Sequence, residues 1–219
     1  MKIFIDTANL DEIKEVNDMG ILNGVTTNPT LMSKLGIKGE KAVTDHYRKI
    51  CEMVDGDISA EVTTLDFKSM IEEGQKLAAI HSNIVVKIPM TKDGVKAIKW
   101  LTDKGIRINT TLVFSAGQAL LAAKAGTVYV SPFIGRIDDS GWDGLELIAE
   151  IANMYSVQNY NTQILAASIR TSNHITRCAG LGAHVCTCPL EPILGLLKHP
   201  LTDIGLAKFM EDAKKTHAV

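Results

Sequence analysis

No stretch of this 219-residue chain approaches the roughly 18 consecutive apolar residues that a membrane-spanning helix needs, so no membrane association is expected. An excess of one charge is also missing. The formal net charge is −2, which argues against a broad electrostatic grip on nucleic acid or on an anionic membrane. The opening run Met1-Lys2-Ile3-Phe4-Ile5-Asp6 has neither the apolar core nor the small-residue cleavage site of a secretory signal, and a cytoplasmic location is the expectation. Cysteine is scarce. Cys51, Cys178, Cys186 and Cys188 do not make a disulfide framework in a chain this long. Cys186-Thr187-Cys188, with His184 close by, lacks the usual spacing of a zinc knuckle and alternates like a buried strand, so structural thiols and no metal site are expected there. Linkers, low-complexity stretches and short repeats are absent too. What remains, 46 % hydrophobic and 22 % charged residues, is a globular mixture that fits one domain spanning 1–219.

What the chain does have is a recurring unit. Short β-branched runs at 2–6, 24–28, 57–62, 84–89, 107–113, 127–134, 163–168 and 184–189 give eight strand candidates. Between them lie stretches such as 10–19, 38–53, 67–81, 92–104 and 115–125, whose apolar residues recur three and four apart, as in Val95, Ile98 and Leu101. Gly20, Gly105 and Gly126 follow three of these as stop signals. Strand–helix alternation with short connections implies parallel strands and right-handed crossovers. Eight units in about two hundred residues predict an α/β fold of the closed (β/α)8 TIM-barrel kind. An open doubly wound sheet is the alternative, but its glycine-rich phosphate turn is missing after the first strand, where Asp6-Thr7-Ala8-Asn9 stands.

Strands covered on both faces should read as nearly continuous apolar runs, and the polar residues that interrupt them carry the information. Asp6 closes the first strand, Asn28 the second, and Glu61 comes near the end of the third. Lys87 sits inside the fourth, Thr111 late in the fifth, Ser131, Phe133 and Arg136 along the sixth, and Ser168 and Arg170 at the end of the seventh. All lie toward the carboxyl ends, where a barrel gathers its catalytic groups. A period of two sets Val85, Lys87 and Pro89 on one face and Val86 and Ile88 on the other. An ammonium inside the barrel loses hydration, which favours the neutral, nucleophilic amine; a structural lysine paired with Asp6 or Glu61 is the competing reading. The two carboxylates supply acid/base capacity, although Asp6 could instead cap the first helix. Arg136 and Arg170, with Ser168, form a candidate anion site, against the alternative of surface pairs with Asp138 or Asp139.

In this order the motifs resemble one family, the transaldolases, and within it the small subfamily that includes the fructose-6-phosphate aldolases. Phe4-Ile5-Asp6-Thr7-Ala8 is similar to the family's opening strand, Gly24-Val25-Thr26-Thr27-Asn28-Pro29-Thr30 to its second, and Val85-Val86-Lys87-Ile88-Pro89 to its Schiff-base lysine motif. Asn109-Thr110-Thr111-Leu112-Val113-Phe114, Ser131-Pro132-Phe133-Ile134-Gly135-Arg136-Ile137 and Ala166-Ala167-Ser168-Ile169-Arg170 complete the likeness. The resemblance implies Lys87 as imine-forming nucleophile, Asp6 as acid/base for the substrate hydroxyl, and Glu61 with Thr111 holding a proton-shuttling water. It implies Asn28 and Asn109 as ligands of substrate hydroxyls, Ser131 and Phe133 in the substrate site, and Arg136, Ser168 and Arg170 on the phosphate. It also implies no metal and no organic cofactor.

Aldolases of this subfamily usually carry glutamine where this chain has Glu61 and tyrosine where it has Phe133, so the resemblance is to the transferases. The reaction implied takes a dihydroxyacetone unit from sedoheptulose 7-phosphate to glyceraldehyde 3-phosphate, giving erythrose 4-phosphate and fructose 6-phosphate, as in the non-oxidative pentose phosphate pathway. Release of free dihydroxyacetone is the alternative. The stretch 200–219, with a Thr202-Asp203 cap, is expected to be a docking helix, and the resemblance implies a homo-oligomer, a decamer. Two other readings stay open from sequence: a barrel isomerase with Asp6 and Glu61 as bases, and a phosphosugar-binding protein without catalysis.

Overall fold

Eight parallel strands close on themselves in the computed structural model, which describes residues 1–216. They are β1 (Lys2–Asp6), β2 (Gly24–Thr26), β3 (Asp57–Glu61), β4 (Ile84–Pro89), β5 (Ile108–Val113), β6 (Tyr129–Pro132), β7 (Gln163–Ala166) and β8 (Val185–Cys188). Each pairs with its neighbour in sequence, and β8 returns to β1 with Lys2 opposite Val185 and Ile5 opposite Cys188. That last pairing excludes the open sheet and makes the fold a (β/α)8 barrel. Around it run α1 (Leu10–Asp18), α2 (Pro29–Lys34), α3 (Glu40–Met53), α4 (Phe67–Ala78), α5 (Lys92–Thr102), α6 (Ala116–Ala125), α7 (Ile134–Asp139), α8 (Gly144–Gln158), α9 (Ser172–Gly180), α10 (Leu190–Gly195) and α11 (Pro200–Thr216).

Three strands stop two residues earlier than their β-branched runs suggest, each for a local reason. β2 ends at Thr26 because Asn28 turns its side chain back to accept the Leu31 N–H at 3.0 Å and Pro29 opens α2. β6 ends at Pro132, Phe133 keeps a single bridge to Ala167, and α7 begins at Ile134, so Arg136 belongs to a helix and not to the sixth strand. β7 ends at Ala166, and Ser168 takes a left-handed backbone with φ 58°. Asp6 does not cap α1. That position is held by Asn9, which accepts the Asp11 N–H at 2.9 Å.

Strand parity sorts the side chains. Val25, Ile58, Val86, Ile88, Ile108 and Val130 face the helices in one continuous apolar layer, and Cys186 and Cys188 are buried in the same layer. His184 is drawn into the backbone, its Nδ1 accepting the Ile164 N–H. Among the described residues, no three His, Cys, Asp or Glu side chains are grouped as metal ligands. Inside the barrel, Phe4, Val85, Tyr129, Leu165 and Val185 form a second, smaller apolar cluster. Two residues further along the same strands stand Asp6, Lys87, Ser131, Ala167 and Thr187. The barrel is thus dry below and polar toward its carboxyl mouth. Gly24 makes room for this plug, since a Cβ there would lie 2.6 Å from the Phe4 ring and 2.4 Å from the Asp57 carbonyl.

The carboxyl-terminal helix behaves differently from the rest. α11 begins at Pro200, with the Leu201 N–H bonded to His199 Nδ1, so Thr202 and Asp203 fall inside its first turn and do not cap it. None of its residues is buried, and Leu201, Ile204, Leu206, Phe209 and Met210 are all more than half exposed. It does not dock on its own barrel; residues 217–219 of the expected docking segment lie outside the described chain. No described helix is long and apolar enough to cross a membrane.

Candidate active site

Lys87 rises from the fully buried strand β4 and is itself 6 % exposed. Its Nζ lies 3.0 Å from Glu61 Oε2 and donates to the Thr27 carbonyl at 3.1 Å. Register explains the first contact, because Glu61 is the direct partner of Lys87 across β3 and β4. The amine is thus both buried, as the sequence led us to expect, and in contact with one of the two carboxylates proposed as its neighbours, Glu61 and not Asp6. Such a pair is a poor source of stability, since desolvating two charges offsets most of their attraction. Its retention inside a barrel points to chemistry. Behind Thr27, its hydroxyl bonds Tyr47 Oη of α3 at 2.8 Å, and burial pushes that phenol up to about 12 against the opposing effect of this bond.

Asp6 shares the recess above Lys87. Its Oδ1 accepts from Thr26 Oγ1 at 2.7 Å, and Thr26 Oγ1 lies 2.6 Å from Thr187 Oγ1. Both threonines line the recess, and the reading of the sequence gave neither a role. The signal was present as parity: Thr26 follows Gly24 by two, and Thr187 follows Val185 by two. A threonine in a strand is ordinary, however, and only closure of β8 on β1 gives this pair its meaning.

Asn109 and Ser131 lie at the same depth. Asn109 is the register partner of Lys87 across β4 and β5, is fully buried, accepts from Ser131 Oγ at 2.7 Å and donates to Ser59 Oγ at 3.0 Å. Its amide therefore already has a protein partner at each end, and of the two it is Ser131 that lines the recess. Thr111 stands beside an irregularity in β5 where Leu112 adopts φ 59°. Thr111 Oγ1 is buried with no hydrogen-bond partner among the described residues, a group suited to a small polar molecule. Asn28 spends its carbonyl oxygen on the α2 cap, which leaves its amide N–H groups for the recess it lines.

The rim toward β6 and β7 is cationic and aromatic. Phe133 packs on Phe114 with ring centroids 5.6 Å apart, and the Arg136 guanidinium lies over the Phe133 ring at 5.0 Å. Arg136, Phe133 and Ser168 line the recess. Arg170 does not. Its guanidinium bonds Asp139 at 2.7 Å on the exposed side, so the surface-pair reading holds for this arginine and not for Arg136. Gly135 lets the two segments meet: its N–H donates to the Ser168 carbonyl at 3.0 Å, and a Cβ there would lie 2.3 Å from that oxygen and 2.5 Å from Arg170 Nε.

A parallel eight-stranded barrel with a buried lysine–carboxylate pair and an arginine–serine corner at its carboxyl mouth is an enzyme scaffold with its site in the usual place. The sequence matches the family described as Transaldolase/Fructose-6-phosphate aldolase over residues 3–219. Proteins named probable transaldolase from Cytophaga hutchinsonii, Parabacteroides distasonis and Porphyromonas gingivalis are 62 %, 61 % and 59 % identical to it over 217 residues. These alignments cover 99 % of this chain and 100 %, 100 % and 99 % of the relatives. The chain belongs to the transaldolase/fructose-6-phosphate aldolase family and is an enzyme of that family.

Proposed function

We propose that this chain is a Schiff-base transaldolase that transfers a dihydroxyacetone unit between sugar phosphates, with Lys87 as its nucleophile. The observation that carries the reading is the buried Lys87 amine, in contact with Glu61 and opening on the same recess as Asp6. Lys87 Nζ passes a proton to Glu61 and adds to the C2 carbonyl of a ketose phosphate. Loss of water from the carbinolamine gives the iminium, with Glu61 and the unpartnered Thr111 hydroxyl holding the water that moves protons. The C3–C4 bond then breaks: the C4 hydroxyl gives its proton to Asp6, C4 becomes an aldehyde, and the electron pair of the broken bond is taken up by the iminium as an enamine. The enamine attacks the acceptor aldehyde, Asp6 returns the proton to the new hydroxyl, and hydrolysis of the iminium frees Lys87.

The donor is sedoheptulose 7-phosphate and the acceptor glyceraldehyde 3-phosphate, giving erythrose 4-phosphate and fructose 6-phosphate. Asn28 and, through Ser131, Asn109 orient the substrate hydroxyls, while Arg136 and Ser168 take the phosphate. Arg170 joins them on leaving Asp139. Phe133 offers no hydroxyl to protonate the held enamine, which favours transfer over release. The exposed apolar residues of α11 favour a homo-oligomer, with a decamer and a cytoplasmic location expected from the family.

Borohydride reduction in the presence of fructose 6-phosphate, followed by peptide mapping, is expected to leave a reduced adduct on the peptide containing Lys87. Formation of glyceraldehyde 3-phosphate from fructose 6-phosphate is expected to require erythrose 4-phosphate. Equal turnover without that acceptor would make the enzyme a fructose-6-phosphate aldolase, and the absence of any adduct would remove the covalent mechanism.

A further inference from the structure

Beside Asp6, the Thr26 and Thr187 hydroxyls form a pair that touches neither Lys87 nor Glu61 among the described hydrogen bonds. A threonine hydroxyl has one proton. Thr26 gives its proton to Asp6 Oδ1 at 2.7 Å, so the 2.6 Å contact between the two threonines is a donation from Thr187 to Thr26. The three groups form a directed chain from β8 through β2 to β1, Thr187 to Thr26 to Asp6. Thr187 is 4 % exposed and Thr26 1 %, so bulk water does not compete for these bonds. Among the described residues no hydrogen bond reaches Asp6 Oδ2. The chain thus occupies one carboxylate oxygen and leaves the other for the recess.

We infer that Thr187 is a positioning residue for carbon–carbon cleavage: through Thr26 it fixes the Asp6 carboxylate so that Oδ2 faces the C4 hydroxyl of the bound ketose. The inference rests on the transaldolase reading and adds a residue to it. Donation from Thr187 polarises the Thr26 hydroxyl, which strengthens the bond to Oδ1 and locks the carboxylate rotamer. Imine formation at Lys87 does not draw on Asp6 and is independent of the chain. Thr187 therefore acts on one half of the reaction only.

Thr187→Val removes the hydroxyl and keeps the shape, and Thr187→Ser restores the hydroxyl. With fructose 6-phosphate and erythrose 4-phosphate, Thr187→Val is expected to lower kcat by about tenfold or more while KM stays within about twofold. Thr187→Ser is expected to recover most of that loss. Borohydride trapping with dihydroxyacetone, which forms the imine without breaking a carbon–carbon bond, is expected to proceed at the parent rate in both variants. An unchanged kcat in Thr187→Val overturns the inference, as does a raised KM at constant kcat, which would make Thr187 a substrate contact. A joint loss of turnover and dihydroxyacetone trapping overturns it in favour of general structural damage, and failure of serine to rescue counts the same way. If the parent enzyme gives no adduct on Lys87, the Schiff-base reading itself falls and takes this inference with it.

Discussion

Glu61 holds its carboxylate 3.0 Å from Lys87 Nζ, with the two side chains only 15 % and 8 % exposed. Breaking a buried pair from one side leaves a charge without compensation, whereas removing both partners does not. Glu61→Gln is therefore expected to lower the unfolding free energy by about 3 kcal/mol, and Lys87→Met in the same chain to restore a large part of it. Urea unfolding of both single variants and the double variant reads the coupling directly. Additive losses would mean that the contact carries no interaction energy.

Phe133 lines the recess without a group that can give up a proton. Phe133→Tyr adds a phenol there, and acceptor-independent release of dihydroxyacetone from fructose 6-phosphate is expected to rise by roughly tenfold, short of the full contribution of an evolved general acid. Following dihydroxyacetone with and without erythrose 4-phosphate separates release from transfer. An unchanged ratio would show that the missing hydroxyl is not what retains the enamine.

The two arginines are not equivalent. Arg136 lines the recess and Arg170 is engaged by Asp139. Arg136→Ala is expected to raise KM for fructose 6-phosphate by about tenfold or more, with a smaller rise for Arg170→Ala and a fall for Asp139→Asn, which frees Arg170. Trapping with unphosphorylated dihydroxyacetone should be indifferent to all three. Gly135→Ala would drive a methyl into the Ser168 carbonyl and the Arg170 side chain, and it is expected to lose about 1–3 kcal/mol of stability together with phosphate affinity.

Tyr47 gives stability a dependence on alkaline pH. Burial raises its phenol to about 12 in the folded state, while the unfolded phenol ionises near 10. Below about pH 10 both states keep the proton and the contribution is fully present. Between about pH 10 and 12 the unfolded state binds fewer protons, and the unfolding free energy falls by ~1.4 kcal/mol per pH unit for this group. Burial also raises Tyr129, Tyr155 and Cys178, which add to the same fall. Tyr47→Phe is expected to make the decline shallower by about one group. Urea titrations from pH 9 to 12 measure the slope, and identical slopes would remove Tyr47 from the account.

α11 contributes an apolar face to no part of its own barrel. Ile204→Asp combined with Phe209→Asp is expected to leave the circular dichroism of the barrel unchanged, because these side chains are exposed in the single chain, and to reduce the sedimentation coefficient, as the proposed homo-oligomer requires. An unchanged sedimentation coefficient would exclude α11 from assembly.

The barrel, and the placing of Lys87 and Asp6 in one recess at its mouth, were legible in the sequence wherever a residue contradicted its surroundings. Lys87 stands among Val85, Val86 and Ile88, and Asp6 follows Phe4 and Ile5; burying an ionisable group in such a run is so unfavourable that it needs a reason. Strand number and order followed from the alternation of short and long apolar periods, which is local chain chemistry. Where each strand ends was less legible. Asn28 is as good a strand terminus as a helix cap until the turn to Leu31 is known, and Arg136 follows β6 closely enough to pass for part of it.

The chain's own order of residues determined the eight strands, the helices between them, the parity that turns Lys87 inward and the concentration of polar groups at the carboxyl mouth. All of these depend on spacings within one segment. Tertiary pairing decided the rest. The register of β3 on β4 brought Glu61 against Lys87, closure of β8 on β1 brought Thr187 against Thr26, and the turns after β6 and β7 set Arg136 over Phe133 but gave Arg170 to Asp139. These partners lie between 3 and 161 positions apart in sequence. Their contacts depend on strand register and on the path of the connecting turns, which the residue types alone do not encode.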